Sequence, residues 1–207
     1  MKEVGSEWFE TGEFAGRTAR HVSKFLRRDF NVPVKVVEER WPSWTAEERL
    51  IFAGAFSARF PHSDNDQRIL DFLMQSGDTR IWRKIALPVA RHRDRSCALR
   101  FLLARIAEAA PPLSNYYQAI QTLSASECVP ALLDALSRHR QEVELHPSVQ
   151  TSTEKLIYSD YLYCSATLFK ITGQEVYRAN ITRMLEHGEE VVRQRATFIA
   201  RSAGIAV

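Results

Sequence analysis

The apolar residues of this chain recur with helical spacing along almost its whole length, and this is the strongest constraint on its fold. Apolar side chains stand three or four residues apart in series after series, which is typical of amphipathic helices that bury one face. The longest series is formed by Ile157, Tyr161, Cys164, Leu168 and Ile171. Glycine is rare, with 8 in 207 residues, so few turns can adopt a positive φ and β-hairpins are not expected. The sequence therefore predicts an all-α protein.

Helix starts are marked by a capping-box spacing, in which a short polar residue stands three positions before Glu or Gln. The pairs with this spacing are Thr45 with Glu48, Asp64 with Gln67, and Thr151 with Glu154. Later boundaries are marked by Pro111-Pro112, Gly173 and Gly188. The connectors between the predicted helices are short, so helices adjacent in the chain are expected to pack antiparallel.

The predicted helices follow a regular period. Apolar helix starts fall near Val36, Ile69, Leu99, Val129 and Val176, at spacings of 33, 30, 30 and 47 residues. Each unit reads as a helix, a tight turn and a second helix, and a regular period of such units is typical of an α-solenoid. The last spacing is longer than the others, and the excess maps to the polar stretch 137–155. This stretch is predicted to be an inserted loop or a helix extension.

The stretch 177–196 resembles a HEAT repeat. In that family an apolar first helix ends in an acidic turn, and the second helix opens with a Val-Arg pair followed by Ala. Val192, Arg193 and Ala196 hold these places in the present sequence. The stretch 77–86 is similar, and 115–133 is similar to the joint between two units of short bacterial HEAT-like proteins.

The resemblance covers roughly residues 36–203. It implies a right-handed α-α superhelix, a HEAT-like solenoid of the compact bacterial type with about five two-helix units. The whole chain, 1–207, is then one repeat domain, with 1–32 as an N-terminal capping segment and 137–155 as the insertion. Arg83 and Arg193 hold the repeated arginine position of the family, which implies a structural role, and Trp82 is expected to pack in the core.

The net charge of +3 hides a strong segregation of sign. Residues 80–105 carry eight Lys or Arg and one acid, and residues 15–30 carry five Lys or Arg and one acid. On the helix predicted for 15–30, the cationic and titratable side chains line one face: Arg17, Arg20, His21, Lys24, Arg27 and Arg28. This face is either a solvated surface of the capping helix or a binding surface.

The second basic surface lies on the helix that begins near Arg80. Arg80, Lys84, Leu87 and Arg91 share one face of it, at helical spacing. Second helices line the concave side of HEAT solenoids, so the resemblance places this stripe in the groove. Arg93 and Arg95 lie in the turn that follows, at the same edge. The alternative is that these cations pair with neighbouring carboxylates of the same fold.

No catalytic or metal-binding motif is recognisable. The six histidines include no H-x-x-H or H-x-x-x-H pair, and phosphate-binding glycine loops and a G-x-S-x-G turn are missing. Cys97 follows His92 by five residues, which places the two side chains on different helix faces. The sequence therefore predicts a non-catalytic protein without a cofactor or a metal.

The remaining features favour a cytoplasmic location. The three cysteines are far apart and lie in apolar helical patterns, as expected of reduced, buried thiols. The N-terminal residues lack the apolar stretch of a signal peptide, and no apolar run approaches the roughly 20 residues of a membrane span. Neither a secreted nor a membrane protein is expected.

Three functions remain open. The first is a solenoid that binds an acidic protein partner in the basic groove; small HEAT-like proteins of this kind include adaptors and immunity proteins that neutralise a toxin. The second is nucleic-acid binding, as in HEAT-like DNA glycosylases, and the third is a HEAT-like enzyme, either a glycosylase or a tetrapyrrole lyase. Tyrosines are favoured at binding hot spots, and five are candidate anchors: Tyr116, Tyr117, Tyr158, Tyr161 and Tyr163. The residues predicted to contact a partner are Arg80, Lys84, Arg91, Arg93, Arg95, Arg17, Lys24, Arg28, Tyr116 and Tyr117.

Overall fold

The computed structural model describes residues 32–58, 61–108 and 110–207, and they are helical throughout. Ten α-helices lie in these ranges: α1 (Val34–Arg40), α2 (Ala46–Ser57), α3 (Asp64–Met74), α4 (Thr79–Val89), α5 (Arg95–Glu108), α6 (Ser114–Leu123), α7 (Val129–Leu145), α8 (Ser152–Thr172), α9 (Glu175–Leu185) and α10 (Glu190–Ala203). Short 3₁₀ helices occupy Trp41–Ser43 and Ser126–Cys128. The predicted all-α class is confirmed.

The chain divides into two compact units, Met1–Ala98 and Leu99–Val207. In the first unit, α4 packs most extensively against α2, and it also packs against α3, while α1 packs against α3. The core of this unit is built from aliphatic and aromatic side chains with almost no exposed surface, among them Val37, Phe52, Ile69, Leu73 and Ile85. Each such side chain contributes about 1.5–3 kcal/mol by leaving water.

In the second unit, α8 lies at the centre and packs against α6, α7, α9 and α10. Every residue from Ile157 to Leu168 is buried. The apolar spacing predicted one buried stripe on this helix, and the structure shows burial on all its faces. A helix is buried all round where helices cover it on every side, and four neighbours do so here.

The predicted helix starts are confirmed at two positions. Thr45 Oγ1 accepts the amide of Glu48 at 3.2 Å, and Glu48 Oε2 accepts the amide of Thr45 at 2.7 Å. The Thr151–Glu154 pair forms the same reciprocal box, and these backbone hydrogen bonds lower the pKa of the Glu154 carboxyl.

The third predicted start is displaced by one residue. The capping box of α3 is formed by Ser63 and Asp66, whose side chain accepts the Ser63 amide at 3.1 Å. An aspartate therefore takes the third helical position, where the capping-box rule expects Glu or Gln. Asp66 also accepts the amide of His62 at 3.2 Å, so its short side chain bonds two successive backbone groups.

In each of three helices, one side chain in the second turn donates a hydrogen bond to the backbone that precedes the helix. Arg49 Nε donates to the carbonyl of Trp41 at 3.0 Å, and Trp82 Nε1 donates to the carbonyl of Met74 at 3.0 Å. Arg193 Nη1 donates to the carbonyls of His187 and Gly188 at 2.7 and 2.6 Å. Each of the three is the fourth residue of its helix. These bonds satisfy carbonyl groups that the end of a helix or a turn leaves without a helical partner.

The polar stretch 137–155 is divided between two helices and a connector. α7 continues through Leu145, residues 146–151 connect, and α8 begins at Ser152. Tyr158 donates its hydroxyl to the carbonyl of His146 at 2.9 Å, which holds the connector against α8. Most of the stretch is therefore helix extension. No helix within the described ranges is long and apolar enough to cross a membrane.

Two adjacent leucines of α7 provide a test of the core. Leu132 is fully buried, whereas Leu133 is 42% exposed. Leu132→Ala should lower the free energy of unfolding by about 2–5 kcal/mol, because it removes buried methyl groups and leaves a cavity. Leu133→Ala is the matched control and should cost less than about 1 kcal/mol. Urea unfolding followed by circular dichroism measures both, and equal losses would contradict the described packing of α7.

Candidate partner-binding surface

The exposed face of α4 carries Arg80, Lys84 and Leu87 of the predicted stripe, whereas Arg91 lies in the turn after the helix. Arg80, Lys84 and Arg91 are exposed, and Leu87 between them is 42% exposed. The opposite face is buried in the core of the first unit through Ile81, Ile85 and Val89. The helical period thus separates a core face from a cationic face with one apolar side chain in its middle.

The ends of α4 are fixed by its own sequence. Asp78 caps the N-terminus by accepting the amide of Arg80 at 2.9 Å. Pro88 lies in the last turn, and since its nitrogen carries no hydrogen it cannot bond the carbonyl of Lys84. The helix ends at Val89, and Arg91 follows in the turn, where its amide donates to the carbonyl of Pro88 at 2.9 Å.

Arg80 is partly neutralised within the fold. Its Nε and Nη2 donate to the two carboxylate oxygens of Asp78 at 3.1 and 2.8 Å. This side-chain hydrogen bond lowers the pKa of Asp78 and raises that of Arg80. Because the pair is solvent-exposed, it contributes little to stability. Its main effect is to hold the guanidinium against the N-terminal turn of α4.

The turn after α4 is held in place by the side chain of Gln67. Gln67 Oε1 accepts the amide of Arg93 at 3.2 Å, and Gln67 Nε2 donates to the carbonyl of Pro61 at 3.3 Å. The guanidinium of Arg93 forms an ion pair with Asp64 at the start of α3. Arg95 opens α5 and is exposed. The predicted cations of the turn thus lie at the surface, and Arg93 is paired with a carboxylate.

His92 is bound to the same helix, α3. Its Nε2 lies 2.8 Å from Asp71 Oδ1, and its Nδ1 accepts the amide of Asp94 at 3.0 Å. Nδ1 also lies 3.0 Å from the carbonyl oxygen of Asp94. His92 is therefore held by the backbone and by a carboxylate, and Cys97 donates its own backbone amide to Asp94 Oδ1 at 3.0 Å.

Lys84 differs from its neighbours on the stripe. Among the residues that the structure describes, it forms no ion pair and no hydrogen bond, and its side chain is exposed. Together with Leu87 it forms the middle of the α4 face, between the paired Arg80 and the turn at Arg91. No described residue offsets the charge of this part of the basic surface.

The other predicted contact residues divide into two groups. Arg17, Lys24 and Arg28 lie outside the described residues. The prediction of tyrosine anchors is wrong, because Tyr116 and Tyr117 are fully buried and the three tyrosines of α8 are also core side chains: Tyr158, Tyr161 and Tyr163. Their aromatic rings supply core area that a unit of this size needs, and they are not available to a partner in this conformation.

Sequence reasoning missed a buried polar cluster in the second unit. The Tyr117 hydroxyl lies 2.5 Å from His139 Nε2, and Asp160 accepts the amide of Leu113 with both carboxylate oxygens at 2.9 Å. His139 follows the buried Ala135 and Leu136 by four and three residues, so helical spacing was the signal that could have placed it in the core.

The chemistry of this cluster is set by burial. Burial, with a smaller contribution from the charge of Arg138, lowers the pKa of His139 to about 4, so the imidazole is neutral near pH 7. Burial also raises the pKa values of Tyr117 and of Cys164. The Cys164 thiol therefore stays protonated and does not supply a thiolate nucleophile. It donates to the carbonyl of Leu132 at 3.3 Å instead.

The described ranges contain no group of three or more His, Cys, Asp or Glu side chains that could hold a metal ion. In comparisons with protein-family models, curated proteins and solved structures, none matches this chain.

The depressed pKa of His139 predicts a pH dependence of stability. Between pH 6.5, its ordinary pKa, and about 4, the unfolded chain binds a proton at this site that the folded chain does not. The free energy of unfolding should therefore fall as the pH is lowered through this window, by up to about 3 kcal/mol from this group. His139→Gln should flatten the pH dependence, because glutamine does not titrate in this range. The fold should be kept, since the amide oxygen can still accept a hydrogen bond from the Tyr117 hydroxyl.

The control is His62→Gln, which changes an exposed histidine of the first unit. Urea unfolding at intervals from pH 7 to pH 4 measures all three proteins. The control should keep the slope of the parent chain. A parent slope that survives in His139→Gln would show that His139 is not the group responsible.

Proposed function

We propose that this protein is a non-catalytic, HEAT-like α-solenoid of the cytoplasm that binds an acidic segment of a protein partner through the exposed face of α4. An immunity or adaptor role, in which the partner is neutralised or scaffolded, is the biological form we propose. The observation that carries the proposal is the exposed stripe of Arg80, Lys84, Leu87 and Arg91.

The packing within each unit supports the solenoid part of the proposal. In the first unit the most extensive helix pairs are α2 with α4, α3 with α4, and α1 with α3. In the second unit α8 packs with α6, α7, α9 and α10, and α9 packs with α10. All of these pairs join helices that are one or two positions apart in the chain, which is the neighbour pattern of stacked two-helix repeats.

The charges of the stripe support an acidic partner. Lys84 has no acidic partner among the described residues, and the Arg80–Asp78 pair leaves guanidinium N–H groups for a further acceptor, since a guanidinium has five donors. The intramolecular pairs also fix the positions of Arg80 and Arg93 before a partner arrives, which lowers the entropy lost on binding. The surface thus combines two arginines held by ion pairs, Arg80 in the stripe and Arg93 in the turn that follows, with Lys84, whose charge no described carboxylate offsets.

The centre of the stripe favours a protein over a nucleic acid. Leu87 lies between Lys84 and Arg91, and it is exposed. Protein–protein interfaces combine an apolar centre with a polar rim. Protein surfaces that bind single-stranded nucleic acids instead present aromatic rings on which the bases stack. Nucleic-acid binding remains the alternative, and it is an outcome of the experiment that follows.

Charge reversal tests the proposed surface. The double variant Lys84→Glu with Arg91→Glu should weaken partner binding by about tenfold or more, since each attraction to an acidic group becomes a repulsion. Its thermal stability should change little, because both side chains are exposed. The control Arg68→Glu with Arg201→Glu makes the same change in net charge at two exposed residues of other helices. Affinity capture from cells that encode the chain, with nuclease treatment and a salt series, compares the three proteins.

The proposal is supported if one protein is captured in stoichiometric amount by the unmodified chain and by the control variant, but not by Lys84→Glu with Arg91→Glu. Recovery that nuclease abolishes identifies the nucleic-acid alternative. Equal recovery by both double variants overturns the assignment of the surface. A photo-crosslinking residue at Leu87 should then label the captured protein, while the same residue at Leu133, which is equally exposed, should not.

A further inference from the structure

A groove of about 430 Å³ lies in the second unit between α8 and α10. Its walls are largely apolar, and two cations are among its lining residues. The side chains that matter here are Leu156, Tyr158, Val191, Phe198, Lys155 and Arg195. Phe198 is 57% exposed, which is unusual for a phenylalanine next to a packed core.

Arg195 is held in a defined position at this groove. Its Nε donates to Ser159 Oγ at 3.0 Å. The centre of its guanidinium lies 5.3 Å from the ring centroid of Tyr163 and 5.9 Å from that of Phe198. One hydrogen bond and two aromatic rings therefore fix the guanidinium plane, and little freedom is left to lose when a ligand binds.

The charge of Arg195 is not offset by the described residues. It forms no ion pair with any described carboxylate, and its two terminal nitrogens, Nη1 and Nη2, have no hydrogen-bond acceptor among them. The acidic side chain of Glu190 accepts from Gln194 at 2.7 Å. Lys155 on the other wall likewise has no acidic partner in the described ranges. The groove thus joins an apolar lining to a positioned, uncompensated cation.

We propose that this groove binds a small carboxylic acid with an apolar body, of the class of medium-chain fatty acids. The carboxylate would accept from Nη1 and Nη2 of Arg195, a planar pairing that a guanidinium fork favours. The hydrocarbon chain would lie on Leu156, Val191 and Phe198. The volume lies within the range of small-molecule sites, and a largely apolar lining with one convergent polar group is their usual composition.

Two features favour this ligand over other anions. A phosphate or a polyanion would place several charged oxygens against apolar walls, which leaves them without donors. A chain of methylene groups instead removes the exposed Phe198 ring from water, and each buried methylene tightens binding by about fourfold. Affinity should therefore rise from hexanoate to decanoate, and it should depend on both the carboxylate and the chain.

Calorimetric titration of the full chain with decanoate, below its micelle concentration, tests the proposal. The uncharged 1-decanol is the matched ligand, and Arg201→Gln, at an exposed arginine of α10, is the matched variant. Arg195→Gln should weaken decanoate binding by about tenfold or more and decanol binding by less than about twofold. Phe198→Ala should weaken both ligands, because both use the apolar wall.

Arg195→Lys distinguishes the positive charge from the planar geometry of the guanidinium, because it keeps the first and loses the second. Its affinity for decanoate should lie between those of the unmodified protein and Arg195→Gln. Binding that does not saturate, or that is equal in the parent, Arg195→Gln and Phe198→Ala, overturns the proposal. The double variant Lys84→Glu with Arg91→Glu should leave decanoate binding unchanged. The two proposals can therefore fail independently of each other.

Discussion

The burial of the central part of α8, residues 157–168, is the constraint on which the second unit depends. A helix that is covered on all sides must pair each of its polar side chains, because an unsatisfied buried group costs about 1–3 kcal/mol. Five polar side chains of this segment are bonded to a neighbouring helix or to the residue just before it: Ser159, Asp160, Cys164, Ser165 and Thr167. Asp160 accepts the amide of Leu113 just before α6, and Thr167 donates to the carbonyl of Tyr117 within α6 at 3.3 Å.

The same arrangement extends to the other neighbours of α8. Cys164 donates to a carbonyl of α7, Ser165 lies 3.5 Å from Asn180 of α9, and Ser159 accepts from Arg195 of α10. Apolar packing alone tolerates small slips of one helix along another, whereas a hydrogen bond is lost within a fraction of a helical turn. The polar atoms of α8 thus select one register for each of its four neighbours. Arg195 belongs to this set, so one residue both fixes α10 on α8 and presents its remaining donors to the groove.

The sequence predicted where helices begin and which residues share a helix face better than it predicted the contacts between helices. Capping residues such as Thr45 and Thr151 are recognised because their hydrogen bonds join residues three apart. Helical spacing could have placed His139 in the core, but its contact with Tyr117 joins two helices, and no local spacing contains that pairing. Helical period placed Arg80 and Lys84 on an exposed face, because the position of a residue around its own helix is a local property. The pairing of Arg93 with Asp64 joins residues far apart in the chain, and only the fold brings them together.

The three second-turn side chains that bond the preceding backbone have a consequence for how the helices open. When α10 frays, Arg193 withdraws from the carbonyls of His187 and Gly188, and the turn behind it loses its hydrogen bonds. Trp82 couples α4 to the last residue of α3 in the same way. Local opening is then shared between consecutive helices, and hydrogen exchange should proceed in helix pairs. The smallest cooperative element of this protein is in that case the pair of helices joined by such a side chain.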